Sequence, residues 1–120
     1  MVWQYSQRSG QLRRKNETWA RGYSGKGAGK NNPGMEQVRN IGPIPRGHYR
    51  IGRPYQSESK GPHVMNLEPM GHIAHGRTLF RIHGDSRLNP GTASEGCIIL
   101  PRHIRQQISA SGDIDLVVVE

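Results

Sequence analysis

Residues 78–111 read "TLFRIHGDSRLNPGTASEGCIILPRHIRQQISAS", and the order of their periodicities decides the fold. From Thr78 to Gly84 the period is two. Leu79, Arg81 and His83 fall on one side and Phe80 and Ile82 on the other, which predicts a strand that ends at His83. The polar run "DSRLNPGTASEG" that follows predicts a loop, and "CIIL" is a short apolar run. Leu100, Ile104 and Ile108 then recur at i, i+4 and i+8, which predicts one short amphipathic helix beginning near Pro101.

Outward from this segment the chain reads as strands. The opening "VWQYSQRSGQLRRKNETWARGYSG" alternates Trp3, Tyr5, Leu12, Trp19 and Tyr23 with polar residues around a Ser9-Gly10 turn, and predicts two or three antiparallel strands. "GKGAGKNNPG" (25–34) predicts a loop or a flap, and it lacks the Gly-Lys-Ser/Thr ending of a phosphate-cradling loop. "IGPIPRGHYRIG" (41–52) predicts a short strand over His48–Ile51. "HVMNLEP" (63–69) predicts a strand with Val64, Asn66 and Glu68 on its wet side, opposite Met65 and Leu67. The final "DIDLVVVE" predicts a buried strand with charged ends. The expected architecture over residues 1–120 is a single mostly β domain, a sandwich or barrel, with one short helix directly after Cys97.

Seventeen Lys and Arg against nine Asp and Glu give a net charge of +8, which favours polyanions and surfaces rich in carboxylates or phosphates. Nucleic acid is a poor match, because no aromatic residues are interleaved with the basic ones for base stacking. The lone Cys97 excludes an internal disulfide and leaves an unpaired thiol. No run approaches the length of a membrane span, and the start "MVWQYSQRSG" lacks the features of a secretory leader. The expectation is a protein made in the cytoplasm that another machine must carry to any site beyond it.

A thiol becomes a useful nucleophile when a base or a positive field raises its thiolate fraction and backbone N–H groups can hold the oxyanion formed on attack. "SEGC" (94–97) suits this, because Gly96 allows close approach of the chain and His83 can supply the base. The competing reading packs Cys97 as a small hydrophobe beside Ile98, Ile99 and Leu100. Asp85 either orients the imidazole or caps the turn of its loop. His72 and His75, with His83 or Glu68, could suggest a metal. Convergence at that spacing needs a helix, and Gly71 and Gly76 flank the pair, so no metal and no cofactor is expected.

"IHGD" followed by "ASEGCIIL" resembles the active-site signature of the YkuD-type L,D-transpeptidases, in which His-Gly precedes a Ser/Thr-x-Gly-Cys box. Papain-like and NlpC-type peptidases place the Cys first. With "GYSGKGAGKNNP", "VRNIGPIPRGHYRIG" and "AHGRTLFRIHGD" added, most of the chain resembles the small L,D-transpeptidase effectors delivered between bacteria by type VI secretion. That resemblance implies a peptidoglycan stem-peptide substrate, a cysteine thioester, action in the periplasm of a target bacterium, no cofactor, and a cognate immunity protein as partner. Carried over by position, Cys97 is the nucleophile and His83 the base, with Ser94, Gly96, Gly84 and Asp85 in support. Many relatives have His where this chain has Glu95 and Arg where it has Ile99, so another cation must meet substrate carboxylates. Arg77, His75 and Arg102 are candidates, with Tyr23 and Ser24 beside them as substrate-binding residues. The alternative from another class is a basic, non-enzymatic module that binds wall polymer or nucleic acid, with Cys97 structural.

Overall fold

Ten short strands carry the alternation onto one continuous sheet. The computed structural model describes residues 1–120. Its strands are β1 (Trp3–Ser6), β2 (Gln11–Arg14), β3 (Glu17–Arg21), β4 (Tyr23–Ser24), β5 (Gly47–Ile51), β6 (Tyr55–Ser57), β7 (Gly61–Met70), β8 (Phe80–His83), β9 (Ile98–Ile99) and β10 (Asp115–Val119). One helix, α1 (Arg102–Ser111), follows β9. The order across the sheet is β3-β2-β1-β10-β5-β7-β8-β9-β4, with β6 attached to β7.

The two ends of that path, β3 and β4, are consecutive in the chain with only Gly22 between them, so the sheet wraps into a nearly closed barrel. Gly22 makes the corner possible. Its N–H donates to the Gly10 carbonyl at 2.8 Å, and a Cβ there would lie 1.9 Å from the Ile99 carbonyl oxygen. The mostly β class and the single helix after Cys97 are as the sequence predicts.

Trp3, Tyr5, Leu12, Tyr49, Met65, Ile82, Ile98 and Leu116 are each fully buried in one core, and Ile104 and Ile108 of α1 pack against it. Burial of such side chains contributes roughly 1.5–3 kcal/mol each, which lets a chain with few apolar residues hold a fold. Pro101 stands at the N-cap of α1, and Gly112 ends the helix in the left-handed region at φ +76°.

Three features differ from expectation. β1 pairs antiparallel with β2, as predicted, but also parallel with β10 from Trp3↔Leu116 to Ser6↔Val119. β10 is buried on one face only: Leu116 and Val118 point inward, while Asp115, Val117 and Val119 remain partly exposed because α1 covers β7 and β8 instead. Val64 is buried although alternation groups it with Asn66 and Glu68, because β6 and α1 close over that end of β7. His63 marks the closure with a 2.7 Å hydrogen bond to Ser109 on α1.

Candidate active site

β8 and β9 run parallel with Ile82 opposite Ile98 and His83 opposite Ile99. Ile82 and Ile98 face the core. Alternation therefore puts Arg81, His83, Cys97 and Ile99 on the opposite face of the sheet. His83 and Cys97, distant in sequence, come to line one cavity of about 320 Å³.

The His83 ring is 2% exposed, and its Nδ1–H donates to the Gly84 carbonyl at 2.8 Å. That bond fixes the tautomer and leaves Nε2 as the acceptor, which has no partner within the protein. Burial pushes the imidazole down to about 4 against the opposing Gly84 bond, with help from the positive charges of Lys60, Arg81 and Arg105. At neutral pH the ring is an uncharged base.

The Cys97 thiol donates to the Leu79 carbonyl at 3.8 Å, and no hydrogen bond joins it to His83. Its flank packs with Tyr23 and Ile99, so the residue is both a packing element and a wall of the cavity. Leu79 is 78% exposed with φ +64°, a strained conformation for a branched residue. The amphipathic pattern gave no hint that this leucine would sit at the rim and hold the thiol.

Gly96 precedes the cysteine at φ +139°, and a Cβ there would lie 2.5 Å from Nη2 of Arg77. Ser94 shapes the same turn from within. Its hydroxyl donates to the Cys97 carbonyl at 2.6 Å and accepts the N–H groups of Gly96 at 3.1 Å and Gly25 at 2.9 Å. Ser24 is fully buried behind this turn, donating to the Gly96 carbonyl and accepting from the Ile44 N–H. It buttresses the loop rather than facing the cavity. The 25–34 loop is tied down alongside it, with Lys26 N–H on the Ile41 carbonyl and Asn31 N–H on that of Ser24, each at 2.8–2.9 Å.

The supporting residues divide by what they touch. Asp85 does not reach the imidazole; it accepts from Tyr23 at 2.5 Å and from the Ser86 and Gly91 N–H groups, so it caps its own loop. Tyr23 receives the Ala93 N–H at 2.9 Å, and burial together with the Asp85 carboxylate pushes its phenol up to about 12. Gly84 contributes its carbonyl to His83, and Arg105 packs so closely that a Cβ on Gly84 would lie 2.8 Å from Nη2.

None of the three cations singled out in the sequence is free at the cavity. His75 pairs with Glu36 at 2.7 Å. Arg102 lies on α1 beside a different depression, with Arg21 and Arg105. Arg77 lines the cavity, but its four terminal N–H groups are aimed at the carbonyls of Glu36, Gly42, Pro43 and Glu95. The unpaired cations that line it are Arg39, Lys60 and Arg81, which sequence spacing did not single out. His72 donates its Nε2–H to the His48 carbonyl at 3.0 Å while its Nδ1 accepts the Ala74 N–H at 3.2 Å, and it does not converge with His75 or His83.

The buried imidazole has a consequence for stability. Below its ordinary value of 6.5 the unfolded chain takes up a proton that the native ring refuses, so stability falls as pH drops from about 6.5 towards about 4. The full difference amounts to roughly 3 kcal/mol, and about 2 kcal/mol of it is lost by pH 5. Urea unfolding at pH 7.5 and pH 5 checks this. His83→Gln is expected to lose most of the difference between the two pH values, and an equal loss in both proteins would contradict the burial argument.

The Tlde1 domain family matches residues 18–115 of the chain, a span that includes His83, the Ser94–Cys97 turn and most of the barrel. No curated protein and no solved structure matches it.

Proposed function

The chain belongs to the Tlde1 domain family, a family of type VI secretion effectors of L,D-transpeptidase type, and from that premise we propose a YkuD-type cysteine mechanism acting on peptidoglycan stem peptides in the periplasm of a target bacterium. The observation that carries the reading is the shared cavity: a buried neutral imidazole with an unpaired Nε2 and a cysteine thiol open into one cationic hollow.

His83 takes the thiol proton, and the Cys97 sulfur attacks the carbonyl of the third, L-centred stem residue. The Gly96 N–H is already engaged by Ser94, which leaves the Cys97 N–H as the donor for the developing oxyanion. As the C–N bond breaks, His83 gives its proton to the departing amine of the terminal D-alanine, and a thioester remains. Water then yields the tripeptide. A free D-amino acid yields an exchanged tetrapeptide, and in either case His83 returns the nucleophile's proton to the sulfur.

Cross-linking two stems would require a long acceptor groove, whereas the cavity beside Cys97, about 320 Å³, continues past His83 only into a second of about 360 Å³. Trimming and exchange are therefore the expected products. Both deprive a growing wall of tetrapeptide donors, which makes the protein an antibacterial toxin and gives its producer a use for an immunity protein. Mass spectrometry after incubation with disaccharide tetrapeptide, with and without excess D-methionine, tests the proposal. Loss of D-alanine and a methionine-for-alanine product are expected. Cleavage of glycan, or of the stem at any other bond, refutes it.

A further inference from the structure

His83 stands where two cavities meet. One holds Cys97, and the second, of about 360 Å³, extends past Asp85 and Thr92 towards Lys26. Four residues line both: Lys60, His83, Ala93 and Glu95. Lys60 is the one lysine or arginine among them. It stands on the turn between β6 and β7, partly buried, where its backbone N–H donates to the Ser57 hydroxyl at 3.1 Å. Its ammonium makes no ion pair with any carboxylate of the chain.

The other cations are placed differently. Arg39 and Arg81 line the Cys97 cavity alone, Lys26 lines the second alone, and the terminal donors of Arg77 are engaged. Glu95 is the acidic group at the junction; it is exposed and holds no cation.

The chemistry of the reaction sets where a carboxylate must fall. The amine that leaves takes its proton from His83, and in a C-terminal amino acid the carboxylate lies only one carbon away from that amine. Whatever binds the carboxylate must therefore flank His83 on the side away from the thioester. We propose that Lys60 is a specificity-determining residue that binds the α-carboxylate of the terminal D-amino acid as it departs, and that of the free D-amino acid which replaces it. This assignment rests on the reaction proposed above and deepens it. Lys60 and His83 line both cavities together, and the positive charge of Lys60 helps to hold down the proton affinity of the imidazole. A charged hydrogen bond to a carboxylate is also strong enough to discriminate against an uncharged end.

The test compares a stem tetrapeptide ending in a free carboxylate with the same peptide ending in an amide. Wild-type protein is expected to prefer the acid in kcat/KM by about tenfold or more. Lys60→Met is expected to bring the ratio near unity, and Lys60→Arg to restore a preference. An active Lys60→Met protein that keeps the wild-type ratio overturns the assignment alone. Wild-type protein that releases no terminal residue from either peptide overturns the reaction and this assignment with it. Should Lys60→Met turn over neither peptide, calorimetric titration of free D-methionine into Cys97→Ala and into Cys97→Ala/Lys60→Met decides: weaker binding in the double variant supports the role of Lys60, and equal binding overturns it.

Discussion

Cys97→Ala is expected to abolish release of D-alanine, and His83→Ala to lower it by roughly 10³-fold or more, while the double variant loses nothing beyond Cys97→Ala. The two groups act as a unit, because an unactivated thiol is a poor nucleophile and an imidazole without a thiol has nothing to deprotonate. Burial keeps the His83 ring uncharged at neutral pH, and the Gly84 carbonyl holds its acceptor nitrogen free. Activity should consequently survive down to mildly acidic pH and fall as pH drops through about 4, where the imidazole gains a proton. The thiol bonds to Leu79 rather than to His83, so the pair must close up when substrate displaces that contact. Muropeptide mass spectrometry on the three variants, alongside melting curves that show them folded, measures the effect. Residual D-alanine release by Cys97→Ala at a tenth of the wild-type rate or more would remove cysteine catalysis from consideration.

What could be read from the sequence was local. The alternation through "TLFRIHG" put His83 at the end of β8, and the i, i+4, i+8 spacing of Leu100, Ile104 and Ile108 located α1, because each signal lies within one element. The parallel pairing of β1 with β10 joins the two ends of the chain, and no short-range pattern encodes it. β6 is three residues long and carries no alternation, so its hairpin, and with it the placement of Lys60 beside His83, became visible only in three dimensions. Gly96 reads in the sequence as a point of close approach to a substrate, whereas the group that approaches it in the fold is the Arg77 guanidinium. Charge in a sequence reads as surface, and a buried arginine is recognisable only through the carbonyls around it.

Arg77 carries the second large effect, on stability. Arg77→Met is expected to destabilise the protein by about 4 kcal/mol, a substantial part of the 5–15 kcal/mol typical of a whole domain. The guanidinium is 6% exposed and lies 5.3 Å from the Phe80 ring centroid. Nη1 donates to the carbonyls of Glu36 at 2.5 Å and Pro43 at 2.8 Å, and Nη2 to those of Gly42 at 3.0 Å and Glu95 at 3.1 Å. One side chain thus pins the Glu36–Pro43 segment against the turn that presents Cys97. Burial lowers the proton affinity of the group, but an arginine remains charged at any pH where the protein folds. A methionine would fill much of the space and leave buried carbonyls without donors, each costing about 1–3 kcal/mol before relaxation and entering water reduce the sum. Arg77→Lys should recover little, because a single ammonium with three donors on a flexible stem cannot match four carbonyls arranged around a planar fork. The melting temperature of Arg77→Met is expected to drop by roughly 15 °C. Turnover should fall as well, even well below the melting point, because the Glu95–Cys97 turn loses its anchor. A drop in melting temperature of under about 3 °C would show that the four carbonyls find other donors and that the turn is held by Ser94 and Ser24 alone.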